Sequence, residues 1–232
     1  MMTLSILVVL SFSAIHLLEF LSYYARVAGS ISGKAVTGYA IQNATTTITR
    51  FFYLALMPML GFLIDRNIPR GHYAVMGLAA MGGAAVLSLC AYQARYFWIA
   101  ALVNFINRGS GRPQVRGATL RAELRPDRPA PRRIVPLAAA VFLCYALGVL
   151  LSYFFALDFH DYRSTISQLS GIVNGAATVL LTFVLEPRIA RIVDDHAPPH
   201  VFAAVQAMLR GRLIGVGLAA PAIFYGICFQ FL

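Results

Sequence analysis

Six long apolar runs divide this chain, at about residues 2–25, 36–64, 73–92, 135–157, 165–186 and 212–231. Each is close to the ~20 residues that carry a helix across the hydrocarbon of a bilayer. Inside lipid a backbone must satisfy its own hydrogen bonds, so such runs are read as helices. The expected fold is therefore an all-α polytopic membrane protein with about six transmembrane helices. Composition agrees: 59% of residues are hydrophobic and 12% charged, against about half and a quarter in soluble domains. The second run is long enough to tilt or to kink at Pro58. A shorter stretch, YFWIAALVNFIN at 96–107, leads with aromatics and trails with asparagines. It reads as an interfacial helix or an extension of the third span. The first run has no basic residues ahead of it and is too long for a signal h-region, so it is expected to be retained.

Charge placement sets the expected topology. The net charge is +10, and eight arginines between Arg108 and Arg133 face only Glu123 and Asp127. A loop so basic is expected on the cytoplasmic side, against anionic lipid headgroups, rather than on nucleic acid. Both termini then lie outside. The 26–34 loop, with Arg26 and Lys34, and the 187–211 stretch, with Arg188, Arg191 and Arg210 and with Arg212 just beyond it, fall inside. The 158–163 loop, with Asp158 and Asp161, falls outside, and Arg66 and Arg70 run against the scheme. Cys90, Cys144 and Cys228 all sit in apolar runs without CxxC or His spacing, as buried free thiols do.

The two halves resemble each other. LSY occurs at 21–23 and 151–153; Asn43 is matched by Asn174, Pro58 by Pro187 and Asp65 by Asp194. GLAA at 77–80 recurs at 217–220 after a longer loop. Units of three spans are inverted relative to each other, as in many secondary transporters whose substrate sits between repeats. Chance likeness between Leu/Ala/Gly-rich helices is the competing reading. The expected organisation is a first three-helix repeat with a charged track at 1–95, an interfacial helix and basic loop at 96–134, and a second three-helix repeat at 135–232.

The charged track is where chemistry is expected. His16, Glu19, Tyr23 and Arg26 are spaced by three, four and three residues and fall on one helical face. Over ten residues this stripe climbs ~15 Å, about half the hydrocarbon thickness. In the second run Arg50 lies near the middle, two turns after Asn43, among Thr45, Thr46, Thr47 and Thr49. A midplane arginine is costly unless paired or hydrated. Either Glu19 and Arg50 form a structural pair, or the group lines a hydrated cationic cavity for an anionic headgroup. In the second reading Arg50 binds phosphate, and Arg26 with Lys34 collects it at the mouth. His16 beside Glu19 is a proton-coupling pair or a plain hydrogen-bonding histidine. The equivalent second-half positions carry Ala146, Val149, Ala156 and Leu180, which places the expected chemistry in the first half.

Other motifs give little. DDH at 194–196 precedes APPH and reads as a helix-ending turn rather than a metal site. No Walker loop, HExxH, GxSxG or paired-glutamate arrangement occurs, so neither a P-loop ATPase nor an intramembrane hydrolase is indicated, and no cofactor or metal is expected.

The stretch HLLEFLSYYARVAGSISGK (16–34), then Asn43, Arg50 and PMLGFLID (58–65), resembles the Amj family of lipid II flippases. That family has a His-x-x-Glu, a Tyr before Arg-x-Ala-Gly, a Gly-Lys, an Asn, an Arg and a Pro-x-Leu-Gly before Asp. Its members stand in for the unrelated flippase MurJ. The resemblance implies movement of an undecaprenyl-diphosphate-linked disaccharide-pentapeptide, lipid II, or of another polyprenyl-linked glycan, from the inner to the outer leaflet of the bacterial cytoplasmic membrane. It also implies a transporter rather than an enzyme. Carried over by position, it points to His16, Glu19, Tyr23, Arg26, Gly29, Gly33, Lys34, Asn43, Arg50 and Asp65, with Gly29, Gly33, Pro58 and Gly61 as backbone or hinge positions. Three alternatives stand beside it: a transporter of the bare carrier phosphate, an enzyme using Glu19 and His16 on polyprenyl phosphates, and a non-transporting scaffold. The sequence assigns no oligomeric state.

Overall fold

The computed structural model describes residues 1–125 and 129–231. Asp127 and Arg128 of the basic loop lie outside the described residues. Helices account for the regular structure among the described residues, and six of them are long and apolar enough to span a membrane.

The first span is α1 (Met2–Ser22) followed by α2 (Tyr24–Ile31), with the break at Tyr23. α2 ends in a left-handed cap: Gly33 has φ +65, and the Lys34 N–H donates to the Gly29 carbonyl at 2.8 Å. A β-carbon at Gly29 would stand 2.9 Å from the Gly38 Cα, so these glycines let α2 lie close against α3 (Ala35–Asp65). α3 runs through Pro58 without interruption. After the turn at Asn67, α4 (Arg70–Gln93) returns.

α5 (Arg95–Ile106) is a separate helix packed on α2, not a continuation of the third span. The short α6 (Gly117–Glu123) lies against it. α7 (Ile134–Ala156) is the fourth span. The fifth joins a 3₁₀ turn (His160–Tyr162), α8 (Arg163–Leu180), a π turn (Leu181–Leu185) and α9 (Glu186–Asp195). The sixth joins α10 (Pro198–Ile214), a π turn (Gly215–Ala219) and α11 (Ala220–Phe231).

Two expected boundaries are corrected here. The 187–211 stretch is helical apart from a short break after Asp195, and the sixth span begins at Pro198 rather than at 212. Its arginines lower the average hydropathy, yet Val201, Val205, Met208 and Leu209 are buried against neighbouring helices. Gly211 and Gly215 make that possible. β-carbons there would come within 2.7 Å of Ala138 Cβ and 3.0 Å of the Leu143 nitrogen, so α10 presses directly onto α7.

In each half the first span lies between the other two: α1 against α3 and α4, α7 against α8 and α10. The halves meet through α4 with α11, α2 with α10 and α3 with α7. At one end of the bundle, Asn107 and Arg112 bond Ser32, and Lys34 donates to the Ile106 carbonyl at 3.2 Å. The 26–34 turn and the start of the basic loop are thus at the same end, as the charge pattern requires. At the other end an Arg70–Asp158 ion pair and an Arg163–Asn67 hydrogen bond join the 66–70 and 158–163 turns.

Candidate functional site

A cavity of about 490 Å³ opens between α1–α2, α3, α7 and the α8–α9 span. Its charged wall is Glu19, Arg26, Arg50 and Glu186; its polar wall includes Tyr23, Asn43, Tyr145, Asn174 and Thr178. Arg50 is exposed, and among the described residues it makes no ion pair. The threonines around it are locally satisfied. Thr46 Oγ1 donates to the Gln42 carbonyl at 2.9 Å and Thr49 Oγ1 to the Thr46 carbonyl at 2.7 Å. Both line the cavity, but their hydroxyl protons are already used by the helix. Arg50 is therefore the strong anion-binding donor on this wall.

Of the two readings of Arg50, the structural pair with Glu19 is not formed. Glu19 Oε2 accepts instead from Arg212 Nη2 at 2.7 Å, across from the sixth span. The same guanidinium nitrogen lies 3.1 Å from His16 Nδ1, and its Cζ sits 4.4 Å from the Phe142 ring centre. Arg212 is 1% exposed, with Nε and Nη1 lacking partners. His16 is also fully buried, behind Glu19 and away from the cavity wall. The four-residue stripe thus divides: His16 and Glu19 meet Arg212, while Glu19, Tyr23 and Arg26 face the cavity.

Arg26 is held as well. It pairs with Glu186 and Gln42, and its Cζ lies 5.2 Å from the Tyr39 ring centre. Lys34 does not reach the cavity, because its ammonium is used on the Ile106 carbonyl. Asp65 and Gly61 lie at the far end of α3, beside a different cavity. Pro58 lies between the two, and Gly29 and Gly33 shape the α2–α3 turn.

Residues 113–226 match the family described as Amj, Alternate to MurJ. A curated relative from Bacillus subtilis (strain 168), the lipid II flippase Amj, is 21% identical over 214 residues, covering 79% of this chain and 77% of its own length. Over these residues the chain is similar to the Amj family. No solved structure matches it.

The stretch matched to Amj falls in the second half, whereas the sequence motifs that carry the resemblance lie at 16–65. That second half also holds site residues that local sequence pattern does not mark. The chemistry is not confined to the first half: Arg212 and Glu186 supply the partners of Glu19 and Arg26, and Phe142, Tyr145, Asn174 and Thr178 close the cavity. Arg212 stands at the first residue of the sixth apolar run, where it reads as a flanking charge. The small-residue spacing Gly211–Gly215, which marks close helix packing around it, was the signal available. Asn43 and Asn174, matched in the half-to-half comparison, come together on the cavity wall.

Proposed function

We propose that this chain is a lipid II flippase of the bacterial cytoplasmic membrane, moving its substrate from the inner to the outer leaflet. The observation that carries this reading is the unpaired, exposed Arg50 in a polar cavity inside the spanning region. An arginine held at that depth without a counter-charge is expensive, and a diphosphate headgroup supplies the missing partner. The cavity seats the diphosphate and the adjoining sugar, while the rest of the glycopeptide projects through the open side and the polyprenyl tail stays in lipid. Asn43, Tyr23 and Arg26 bound the same space, and Lys34 belongs to the cytoplasmic mouth rather than the binding wall. The basic 108–133 segment rests on anionic lipid on that side. Three-helix repeats at 1–95 and 135–232, joined by the 96–134 segment, frame the site between them.

The modest cavity volume favours one second reading, a transporter of the bare polyprenyl carrier phosphate, whose head is smaller. Purified protein in liposomes separates the two. Fluorescent lipid II, carrier phosphate and an ordinary phospholipid are followed across the bilayer for the wild type and Arg50→Ala. The flippase reading expects lipid II to move in the wild type and to stall in the variant, with the phospholipid static in both. Movement of the carrier phosphate alone would replace it with the second reading.

A further inference from the structure

α3, α7 and α8 enclose a second cavity, of about 520 Å³, at the end of the bundle opposite the Arg50 site. Along α3 the first cavity takes residues 39–53 and the second 61–65; along α7 the first takes Phe142 and Tyr145, the second Tyr153 and Ala156. On α8 the order reverses: Ser164 and Ser167 line the second cavity, Asn174 and Thr178 the first. The two therefore lie at opposite ends of one seam between the same three helices.

The residues of the second cavity have counterparts at the mouth of the first. A recess of about 260 Å³ there shares Arg26 and Tyr39 with the Arg50 cavity and adds Asp194 and its neighbours. Ala190, Val193 and Asp194 in the recess stand 129 residues after Gly61, Ile64 and Asp65 in the second cavity. Ala35 stands 129 residues before Ser164, and Arg26 stands 130 before Ala156. These are the offsets that relate Tyr23 to Tyr153 and Asp65 to Asp194 in the sequence. Corresponding residues build cavities facing opposite ends, which a head-to-tail duplication of parallel units would not do. An inverted pair of three-span units does.

We infer that the Asp65 cavity is the second portal of a single polar path along this seam, the place where the anionic head emerges once it has passed the middle of the bundle. This rests on the flippase reading above. Between the portals the seam is shut by Tyr153, whose hydroxyl donates to the Met57 carbonyl at 3.5 Å, and by Gly148 pressed against Asn174. The far turns are latched over the second portal by the Arg70–Asp158 pair and by Arg163 on Asn67 and His160. Arg163 keeps a buried Nε without a partner, a donor for a phosphate oxygen arriving there. Asp65 and Asp161 beside it make this portal less cationic than the Arg50 cavity, so an anion is held there more weakly and is released.

The test is one of sidedness. In full-length protein with Cys90, Cys144 and Cys228 replaced by alanine, single cysteines are introduced by Thr46→Cys, Ser167→Cys and, as a marker of the basic end, Arg112→Cys. Sealed vesicles are treated with a membrane-impermeant maleimide from each side. Thr46→Cys is expected to label from the marker's side and Ser167→Cys from the opposite side. A second variant, Gly148→Cys with Val173→Cys, whose β-carbons would stand 3.2 Å apart across the closed part of the seam, is expected to lose at least tenfold in lipid transport when oxidised and to regain it on reduction. Labelling of Ser167→Cys from the marker's side, no labelling from either side, or full transport in the oxidised pair would each overturn the portal. If sidedness and locking both hold for the carrier phosphate while lipid II never moves, the portal stands and the lipid II reading falls.

Discussion

Two arginines of the site have opposite situations, and their variants should separate accordingly. Arg212 is sealed between Glu19, His16 and Phe142, whereas Arg50 faces open space. Removing one member of a buried ion pair leaves the other desolvated and uncompensated, a cost of about 3–5 kcal/mol. Glu19→Ala and Arg212→Ala are therefore expected to lower the unfolding temperature in detergent strongly. Glu19→Gln with Arg212→Met should recover part of the loss, since a neutral pair of similar volume removes the stranded charge. Arg50→Ala should stay within about 0.5 kcal/mol of wild type while transport collapses. A stability loss in Arg50→Ala as large as in Arg212→Ala would make Arg50 a structural residue and sink its proposed role. Glu19 is also the group of the His16/Glu19 pair that reaches the cavity, so it is the candidate for proton coupling. Transport that ignores a pH gradient and survives Glu19→Gln would exclude that coupling.

Among elements, the helices were legible wherever an apolar run was unbroken by charge. Ala35–Asp65 and Ile134–Ala156 match their expected limits within a residue or two, because hydropathy and helix there report the same property. α10 is not legible because a helix that faces protein tolerates the buried Gln206 and Arg212, which together with the exposed Arg210 make a window average read as loop. The break at Tyr23 was equally invisible, as no Pro or Gly marks it. Periodicity placed Glu19, Tyr23 and Arg26 on one face correctly, but nothing local to the first span says which helix supplies the partners. Pairings separated by 160 and 193 residues are properties of packing, not of spacing. The glycines provide an element-scale contrast. Gly211→Val forces a side chain into α7 and is expected to cost about 1–3 kcal/mol through overpacking. Gly61 has nothing within 4 Å of a would-be β-carbon, so Gly61→Ala is expected to be neutral or to stabilise by up to about 1 kcal/mol. Thermal unfolding of the pair decides it; equal losses would mean that α10 and α7 do not meet as described.

At the scale of the whole molecule, charge is sorted by end. The turns at 65–70 and 158–163 carry Arg66, Arg70 and Arg163 against Asp65, Asp158 and Asp161, which leaves that end neutral. The other end holds Lys34, Arg95 and the arginine-rich segment from Arg108, which is tied onto the 26–34 turn by Arg112 and Asn107. An excess of Arg and Lys near span ends is retained in the cytoplasm, and Asp and Glu contribute little to that bias. The short α5 lies on α2 and is not among the six helices long and apolar enough to cross, so an even number of crossings, with both termini on one side, is the expected arrangement. The Arg70 guanidinium within 3.2 Å of the Phe231 carbonyl places the C-terminal helix end at the neutral face. A disulfide-dependent phosphatase fused after the last residue is therefore expected to be active, since it oxidises only outside the cytoplasm, and the same enzyme inserted after Arg112 to be inactive. Replacing Arg108, Arg112, Arg116 and Arg121 with glutamine should shift part of the population to the reverse pattern. An active insertion at Arg112 with a silent C-terminal fusion in the wild type would invert the whole assignment, and with it the direction from which the Arg50 cavity receives its headgroup.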